Sequence, residues 1–360
     1  MPEPIKNMYT PEVLQEMGLA VQGVYPAFNT PAFLRTVMDE TWPALELKAR
    51  WRKITLGFGA HLPGAYPQAV LILEKALVGK PAAFFFPDFV QVYGLNDEHW
   101  DLSMQVIQRT TQHWSAEFAV RAFIIENQAR MMAQMYAWAE NGNEHVRRLA
   151  SEGCRPLLPW GQVLVSLKQD PAPILPILEK LKGDPSPYVR KSVANNLNDI
   201  SKNQPQLVLQ LAKQWYGQNE DVNWVVKHGC RTLLKKGNAD ALALFGLGDA
   251  QAVDITGFAL VNSTLRIGEE LNFVFELHTK EAARVRLEYA IDYVKANGKT
   301  SRKIFQISQV NLAGATHKIY MRKHSFADVS VRKHYPGTHA LTLIANGAAR
   351  GTLFFELESE

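Results

Sequence analysis

The sequence has 360 residues, of which 47% are apolar and 21% are charged, with a net charge of +4. This length suffices for two domains of ordinary size, each with its own hydrophobic core. No basic segment followed by a continuous apolar stretch opens the chain, and no run of about 18 apolar residues occurs elsewhere, so we expect neither secretion nor membrane spanning.

Basic residues are concentrated in the middle of the chain. Lys and Arg number 14 against 8 acidic residues between positions 144 and 236, whereas acidic residues are in excess, 14 against 11, before position 144. A basic concentration on helices is typical of a nucleic-acid contact and equally typical of a solvated face. The two cysteines, Cys154 and Cys230, form no CxxC motif, so we expect them to be reduced and buried.

The first 80 residues are predicted to form helices separated by proline and glycine. One helix begins at Pro11 and is expected to run toward Gly18, and another begins at Thr30. A charged helix covers 46–53 and is expected to end near Gly57. A further helix covers 66–78.

Three segments farther along the chain resemble one another and predict stacked helical repeats. They begin at His145, Tyr188 and Trp224, and their aligned valines are 43 and 36 residues apart. This spacing fits HEAT-like helical pairs, which bury their apolar faces against neighbouring repeats. The sequence therefore predicts an α-helical solenoid.

The second repeat contains the best-marked helix, at 186–202. Ser186 is an expected N-cap and Pro187 fits the first helical position. On a helical wheel the apolar side chains, from Val189 to Ile200, share one side. The opposite side carries Lys191, Ser192, Asn195, Asn198, Asp199 and Lys202. Asp199 is the single carboxylate of that face, so we interpret it as either an ion-pair partner or a catalytic group.

From Asp254 onward, apolar residues recur at every second position, which is the period of a strand and not of a helix. Alternation runs through 271–277 and 285–291, and Asn297-Gly298 and Asn346-Gly347 are hairpin signals. About 105 residues of short strands predict a β-sandwich, which is Ig-like at most because it lacks an inter-sheet cysteine pair. We therefore predict a helical domain at 1–250 and a β-sandwich at 254–360.

Several motifs in this order resemble the DNA alkylation repair glycosylases built on HEAT-like repeats, and the AlkC branch in particular. The helical motifs are 115–121, 151–156 with Pro159-Trp160-Gly161, 189–202 and 228–237. The tail resembles the Ig-like extension of some AlkC proteins through 295–300, 323–326 and 335–337. The chain departs from the family pattern at Ala116, Ala122 and Asn196, which bears on lesion preference.

The resemblance implies removal of cationic N3-alkylated bases, 3-methyladenine and 3-methylcytosine, by hydrolysis of the N-glycosidic bond. Whereas many glycosylases flip the damaged base, this family is thought to act without doing so. The implied protein is a monofunctional enzyme of base excision repair that needs no cofactor and no metal. We expect a monomer in the bacterial cytosol, associated with the nucleoid, acting on double-stranded DNA.

The resemblance also implies the site residues. Glu117, Glu152 and Asp199 are the candidate catalytic carboxylates, and Trp160 is the aromatic expected to pack on the lesion deoxyribose. Departure of a cationic base needs no general acid, and a carboxylate can stabilise the developing sugar cation and orient water. The expected phosphate contacts are Arg148, Arg155, Lys191, Lys202, Lys227, Arg231, Lys235 and Lys236.

Structural roles remain open for each candidate at this stage. Glu117 follows Ser115 as in a capping box, Asp199 has lysine neighbours, and Trp160 could fill a core. Glu152 has a weaker structural motive, because an acid next to Gly153 would meet the unfavourable end of a helix dipole.

Other functional classes are a HEAT scaffold for protein binding, a non-catalytic protein that binds DNA structures, and a metalloenzyme. The presence of all three acids favours the enzyme over the first two classes. The ten histidines form no HExxH or HxH motif, which makes the metalloenzyme the weakest class. A further hypothesis is that 322–324 and 332–334, both basic, let the β-sandwich grip the duplex.

Overall fold

The computed structural model of the chain describes residues 3–247, 251, 253–329 and 332–359. Helices come first and two β-sheets follow. None of the helices in these ranges combines the length and apolar composition that a membrane span requires. The α-helices are α1 (Pro11–Val24), α2 (Thr30–Val37), α3 (Leu47–His61), α4 (Tyr66–Leu77), α5 (Phe86–Gly94), α6 (Trp100–Thr110), α7 (Val120–Glu126), α8 (Gln128–Trp138), α9 (Glu144–Gly153), α10 (Val165–Gln169), α11 (Leu175–Leu181), α12 (Pro187–Ser201), α13 (Pro205–Trp215), α14 (Glu220–Gly229), α15 (Arg231–Lys235) and α16 (Ala239–Leu244).

The first helices begin where the sequence predicts, but two of them continue past the glycines expected to end them. α1 runs through Gly18 and α3 through Gly57. A Cβ atom at Gly18 would lie 2.6 Å from Thr30 Cγ2, and one at Gly57 would lie 2.4 Å from Val37 Cγ2. These glycines therefore allow close packing against α2 instead of ending a helix.

The three similar segments lie on α9, α12 and α14. α12 packs against both of the others. Val146, Val189 and Val225, one from each helix, are fully buried. The predicted stacking of neighbouring repeats is therefore observed for these three helices.

The expectation of one polar, outward face on α12 was wrong for three side chains. Ser192, Asn198 and Asp199 are only 2%, 4% and 2% exposed. Because α9 and α14 cover two sides of α12, the helix has little free surface. Lys191 and Lys202 remain exposed, as predicted.

The start of α12 also differs in detail from the prediction. Pro187 is the first helical residue, but the Ser186 hydroxyl makes no cap hydrogen bond and donates instead to the Glu144 carboxylate. The Ser186 side chain thus links α12 to α9.

The β-sheets form a sandwich, which confirms the predicted fold class of helices followed by an Ig-like β-sandwich. One sheet has the order β1-β3-β6 and the other the order β2-β8-β7-β4-β5. The strands are β1 (Asp254–Leu260), β2 (Thr264–Arg266), β3 (Glu270–Thr279), β4 (Ala283–Val294), β5 (Thr300–Leu312), β6 (Thr316–Ser325), β7 (Gly337–Ala345) and β8 (Ala348–Glu358).

Alternation in β3 places Leu271, Phe273, Phe275 and Leu277 in the core between the sheets. The even-numbered residues of this strand face outward and are partly exposed. Asn346 and Gly347, between β7 and β8, both have positive φ, 48° and 77°, as a tight hairpin turn requires.

The residues group into two compact units. The first contains 1–204 and 215–229, and the second contains 205–214 and 230–360. The second unit thus includes α15 and α16 together with the sandwich. The sequence-based boundary at residue 250 lies outside the described residues and stays a prediction.

Candidate active site in the helical unit

All three candidate carboxylates and two of the candidate arginines form one charged cluster in the first unit. Glu117 lies in the turn before α7, Glu152 on the last turn of α9, and Asp199 on α12. Arg148 and Arg155 lie between them in space and pair with them. Glu117 and Asp199, 82 positions apart in sequence, are thereby connected through a series of alternating acidic and basic side chains.

Glu117 is held at the outer side of this cluster. Its Oε2 accepts hydrogen bonds from the Ser115 hydroxyl, at 2.9 Å, and from Arg148 Nη1. Arg148 Nη1 also donates to the Ser115 hydroxyl at 2.6 Å. Since α7 begins only at Val120, Ser115 and Glu117 orient Arg148 instead of capping a helix.

Glu152 is at the centre of the cluster and is only 5% exposed. Arg155 Nη1 donates to Glu152 Oε1 at 2.6 Å, and Arg148 Nη2 lies 3.4 Å from the same oxygen. The other oxygen accepts from the Ser192 hydroxyl at 2.7 Å. These charge-assisted bonds offset the cost of burying a carboxylate next to the C-terminus of α9.

Asp199 contacts the Arg155 guanidinium on a different edge from Glu152. Arg155 Nε donates to Asp199 Oδ2 at 2.8 Å, and Lys202 Nζ donates to Oδ1 at 2.8 Å. Burial by itself lowers the pKa of the Arg155 guanidinium, but the charges of Glu152 and Asp199 outweigh burial and raise that pKa. The bridge therefore consists of a permanent cation between two carboxylates.

Trp160 is placed by an unusual piece of backbone. Its φ is +62°, a conformation uncommon in residues other than glycine, and its residue surface is 76% exposed. The Lys48 ammonium donates to the Trp160 carbonyl. A core role for this ring is excluded by its exposure, and a strained, exposed tryptophan indicates a contact surface.

Arg121, a buried arginine to which the sequence analysis gave no role, stabilises the segment around Trp160. Arg121 is 1% exposed and donates to the carbonyls of Gly153, Arg155 and Gln162, with 2.8 Å to Arg155. Burial lowers the pKa of Arg121 to about 10, so the group remains protonated at neutral pH. Arg121 lies within the quoted 115–121 motif, which was the available signal for it.

A cleft of about 360 Å³ connects the charged cluster to Trp160. Glu117, Glu152 and Arg155 line it on one side, and aromatic rings including Trp51 line it elsewhere. Asp199 is not among its lining residues. The aromatic wall was missed by sequence reasoning because its members, Trp51, Phe84 and Phe118, come from three separate elements.

The remaining basic candidates are distributed between the two units. Lys191, Lys202 and Lys227 are in the first unit, and Lys227 is half-buried. In the second unit Arg231 is half-buried, while Lys235 and Lys236 are exposed. The last two line a shallow cleft that also contains Arg302 and Lys303.

The basic segments of the sandwich are less available than the sequence suggested. His324 and His334 are 8% and 7% exposed, so neither is presented as a surface group. Arg332 lies over the Tyr293 ring, with 5.1 Å from its guanidinium carbon to the ring centroid. Lys323 and Lys333 remain exposed.

Comparison with known protein families gives two matches that cover most of the chain. Residues 90–233 match the family described as "DNA alkylation repair enzyme". Residues 254–359 match the family described as "Uncharacterised protein YhaZ, C-terminal Ig-like domain".

Two individual proteins are similar over nearly the whole length. The uncharacterized protein YhaZ of Bacillus subtilis is 46% identical over 359 residues, which cover 98% of this chain and 99% of that protein. The structure of Pseudomonas fluorescens alkylpurine DNA glycosylase AlkC, bound to DNA containing an abasic site analog, is 35% identical, covers 99% of this chain and 100% of that chain, and superimposes with a TM-score of 0.94. The chain therefore belongs to the AlkC-type family of DNA alkylation repair enzymes and carries the C-terminal Ig-like domain found in YhaZ.

Proposed function

We propose that the protein excises cationic N3-alkylated bases, 3-methyladenine and 3-methylcytosine, from double-stranded DNA by hydrolysing the N-glycosidic bond. The observation that carries this proposal is the arrangement of Glu117, Glu152 and Asp199 around two arginines at a cleft edged by exposed Trp160. The alkylpurine glycosylase described above has the same fold.

The chemistry needs a negative field beside the sugar more than it needs a proton donor. A base alkylated at N3 carries a positive charge and leaves as a neutral molecule. Positive charge then develops on the deoxyribose, as in glycoside hydrolysis. Carboxylates that are already fixed and ionised stabilise this charge without reorganisation.

We propose different tasks for the three acids. Glu117 and Glu152 line the cleft and are the carboxylates able to face the sugar and orient a water molecule. Asp199 acts through Arg155, which it holds in position against Glu152. On this account Arg148 and Arg155 are positioning residues, and not the phosphate contacts expected from sequence.

Trp160 supplies the lesion contact. An exposed indole beside the carboxylates offers its π-face to a cationic base or to the sugar cation, an interaction worth about 0.5–2 kcal/mol. The ring extends from the surface, where it can meet a base that stays in the duplex, so we propose excision without base flipping.

Phosphate contacts are assigned to the exposed or half-buried basic side chains, and we propose a monomer bound to duplex DNA. In the helical unit these are Lys191, Lys202 and Lys227. In the second unit they are Arg231, Lys235 and Lys236. Arg302 and Lys303, which line the same cleft as Lys235 and Lys236, are two further candidates.

We assign the enzyme to the monofunctional class. This assignment follows the resemblance of the sequence motifs. A lysine, Lys48, does lie beside the site, where it lines a neighbouring pocket together with Glu117, but its ammonium donates to the Trp160 carbonyl and lies 3.9 Å from the centroid of the Phe118 ring. The expected product is an intact strand with an abasic site.

The test is release of methylated bases from dimethyl-sulfate-treated DNA, with mass-spectrometric identification of each base. We expect 3-methyladenine and 3-methylcytosine in the supernatant and unbroken abasic strands. A folded protein that binds this DNA and releases no base would support the alternative, a non-catalytic HEAT-repeat protein that binds DNA structures. Release of 7-methylguanine alone would contradict the proposed lesion class.

A further inference from the structure

The outward face of the three-stranded sheet carries two histidines and a glutamate that converge on one point. His278 lies on β3 and His317 lies directly opposite it on β6. Glu276 precedes His278 by two residues, so its side chain emerges on the same face. All three residues belong to the sandwich, in the second compact unit, and are remote in sequence from the carboxylate cluster.

Both imidazoles direct the same ring nitrogen to the same carboxylate oxygen. His317 Nε2 lies 3.1 Å from Glu276 Oε2, and His278 Nε2 lies 3.4 Å from that oxygen. The two rings are stacked, with centroids 4.4 Å apart and planes 7° from parallel. Because a metal ion binds in the plane of an imidazole ring, the two rings would have to tilt out of this stack to share one ion.

We propose that Glu276, His278 and His317 form a binding site for a divalent transition-metal ion of the Zn²⁺ class. In tetrahedral zinc sites, with bonds of about 2.0–2.1 Å, neighbouring ligand atoms are roughly 3.3 Å apart. The two separations from Glu276 Oε2 already have this length, and the three ligand atoms lie within 4.8 Å of one another. Imidazole and carboxylate together suit Zn²⁺, Cu²⁺ or Ni²⁺ rather than Mg²⁺ or Ca²⁺.

The sheet preorganises the site. Cross-strand neighbours are held at a fixed separation by the β3–β6 ladder, which runs without a break from Glu270 to Thr279. The Thr256 hydroxyl, on β1, lies 2.9 Å from His278 Nε2, and this hydrogen bond would be given up when that nitrogen binds the metal ion. The side chains are 38–52% exposed, which leaves the remaining coordination positions open to solvent.

Zinc titration of the full, tag-free chain by isothermal calorimetry tests the proposal. We expect one Zn²⁺ per chain with a dissociation constant in the micromolar range. His278→Ala and His317→Ala should each weaken binding by more than about tenfold, and Glu276→Gln by about tenfold, which is 1.4 kcal/mol per factor of ten. Co²⁺ should give the intense visible absorption of a four-coordinate complex in the wild type only.

Two control variants separate this site from general surface binding. Glu270→Gln removes another carboxylate of β3, one that pairs with Lys323, and His113→Ala removes an exposed histidine of the helical unit. Both should bind Zn²⁺ as the wild type does. The proposal would be overturned by a wild-type chain that binds no Zn²⁺, or by unchanged Zn²⁺ binding in His278→Ala, His317→Ala and Glu276→Gln. Glu152→Gln should also bind Zn²⁺ normally, because this site is independent of the proposed glycosylase.

Discussion

Arg155 Nη1 donates to Glu152 Oε1 at 2.6 Å, and both side chains are almost completely buried. The other edge of the same guanidinium reaches Asp199. Because a guanidinium is planar, the orientation that satisfies one carboxylate determines where the other must lie. The position of the Glu152 carboxylate is therefore coupled to α12 through one rigid group.

Arg155→Lys should separate charge from geometry. Lysine keeps the positive charge, but its single ammonium cannot reproduce the two-edged bridge. We expect the single-turnover rate of 3-methyladenine release to fall by about tenfold or more, since small displacements of a catalytic group are costly. DNA affinity, measured by fluorescence anisotropy, should change by less than about twofold. Arg35→Lys, the same exchange at an exposed arginine, is the control. A large loss of affinity with an unchanged rate would indicate that Arg155 contacts phosphate, as expected from the sequence.

Trp160→Asn should decouple activity from stability. Asparagine tolerates positive φ better than tryptophan, and an exposed ring contributes little to the core. The melting temperature should stay the same or rise, whereas base release should slow by about tenfold through loss of the cation–π contact. Trp160→Phe should retain part of the activity. A clear drop in melting temperature with full activity would show that the ring is structural.

Arg121→Met should destabilise the helical unit. The substitution leaves the buried carbonyls of Gly153 and Arg155 and the partly exposed carbonyl of Gln162 without their donor, at a cost of about 2–4 kcal/mol. Chemical denaturation followed by tryptophan fluorescence measures this directly, because all eight tryptophans lie between positions 42 and 224. Arg35→Met is the matched exposed control. An effect no larger than that of the control would contradict the bracing role.

The β-sandwich should lose stability in mild acid. Burial, with smaller effects of Arg332 and His334, lowers the pKa of His324 to about 4, and the Tyr289 and Tyr293 hydroxyls contact its two ring nitrogens. An unfolded histidine has a pKa of about 6.5, so the unfolded chain takes up a proton between these values while the folded chain does not. The stabilisation is complete above pH of about 6.5 and falls by about 3 kcal/mol on the way to pH of about 4. The pKa values of His334 and His339 are lowered in the same direction.

Hydrogen exchange with mass spectrometry resolves this effect by region. Protection of β4 and β6 should decrease between pH 6.5 and 4.5 after correction for intrinsic exchange. His324→Gln should reduce the pH dependence, and His113→Gln, at an exposed histidine, should leave it unchanged. An equal response of His324→Gln and the wild type would exclude His324 as the titrating group.

Local sequence patterns predicted the buried residues of those elements that bury only one face. The alternation of β3 predicted its inward residues, and the valine spacing predicted the packing of α9, α12 and α14. The wheel failed for Ser192 and Asp199 because it assumes one buried face, whereas α12 is covered by a helix on each of two sides. Polar residues were therefore buried as hydrogen-bonded partners of the cluster.

Contacts between residues far apart in the chain could not be predicted from the sequence. Nothing in the spacing of Glu117, Arg148 and Asp199 shows that Arg148 joins Glu117 to Glu152, or that Arg155 joins Glu152 to Asp199. Motif searches for metal sites look along the chain, and so could not find His278 and His317, which meet only across a strand pair. Lys48 contacts Trp160 from 112 residues away for the same reason.

Single-turnover kinetics of four proteins, on duplex DNA with one 3-methyladenine, test most directly whether the carboxylate cluster performs the hydrolysis. The proteins are the wild type, Glu117→Gln, Glu152→Gln and Asp199→Asn, each checked for folding and for binding to abasic-analog DNA. We predict retained binding in all four, a loss of about 10²–10³-fold in rate for Glu152→Gln, and smaller losses for the other two variants. Wild-type rates in all three folded variants would show that the cluster does not perform the hydrolysis.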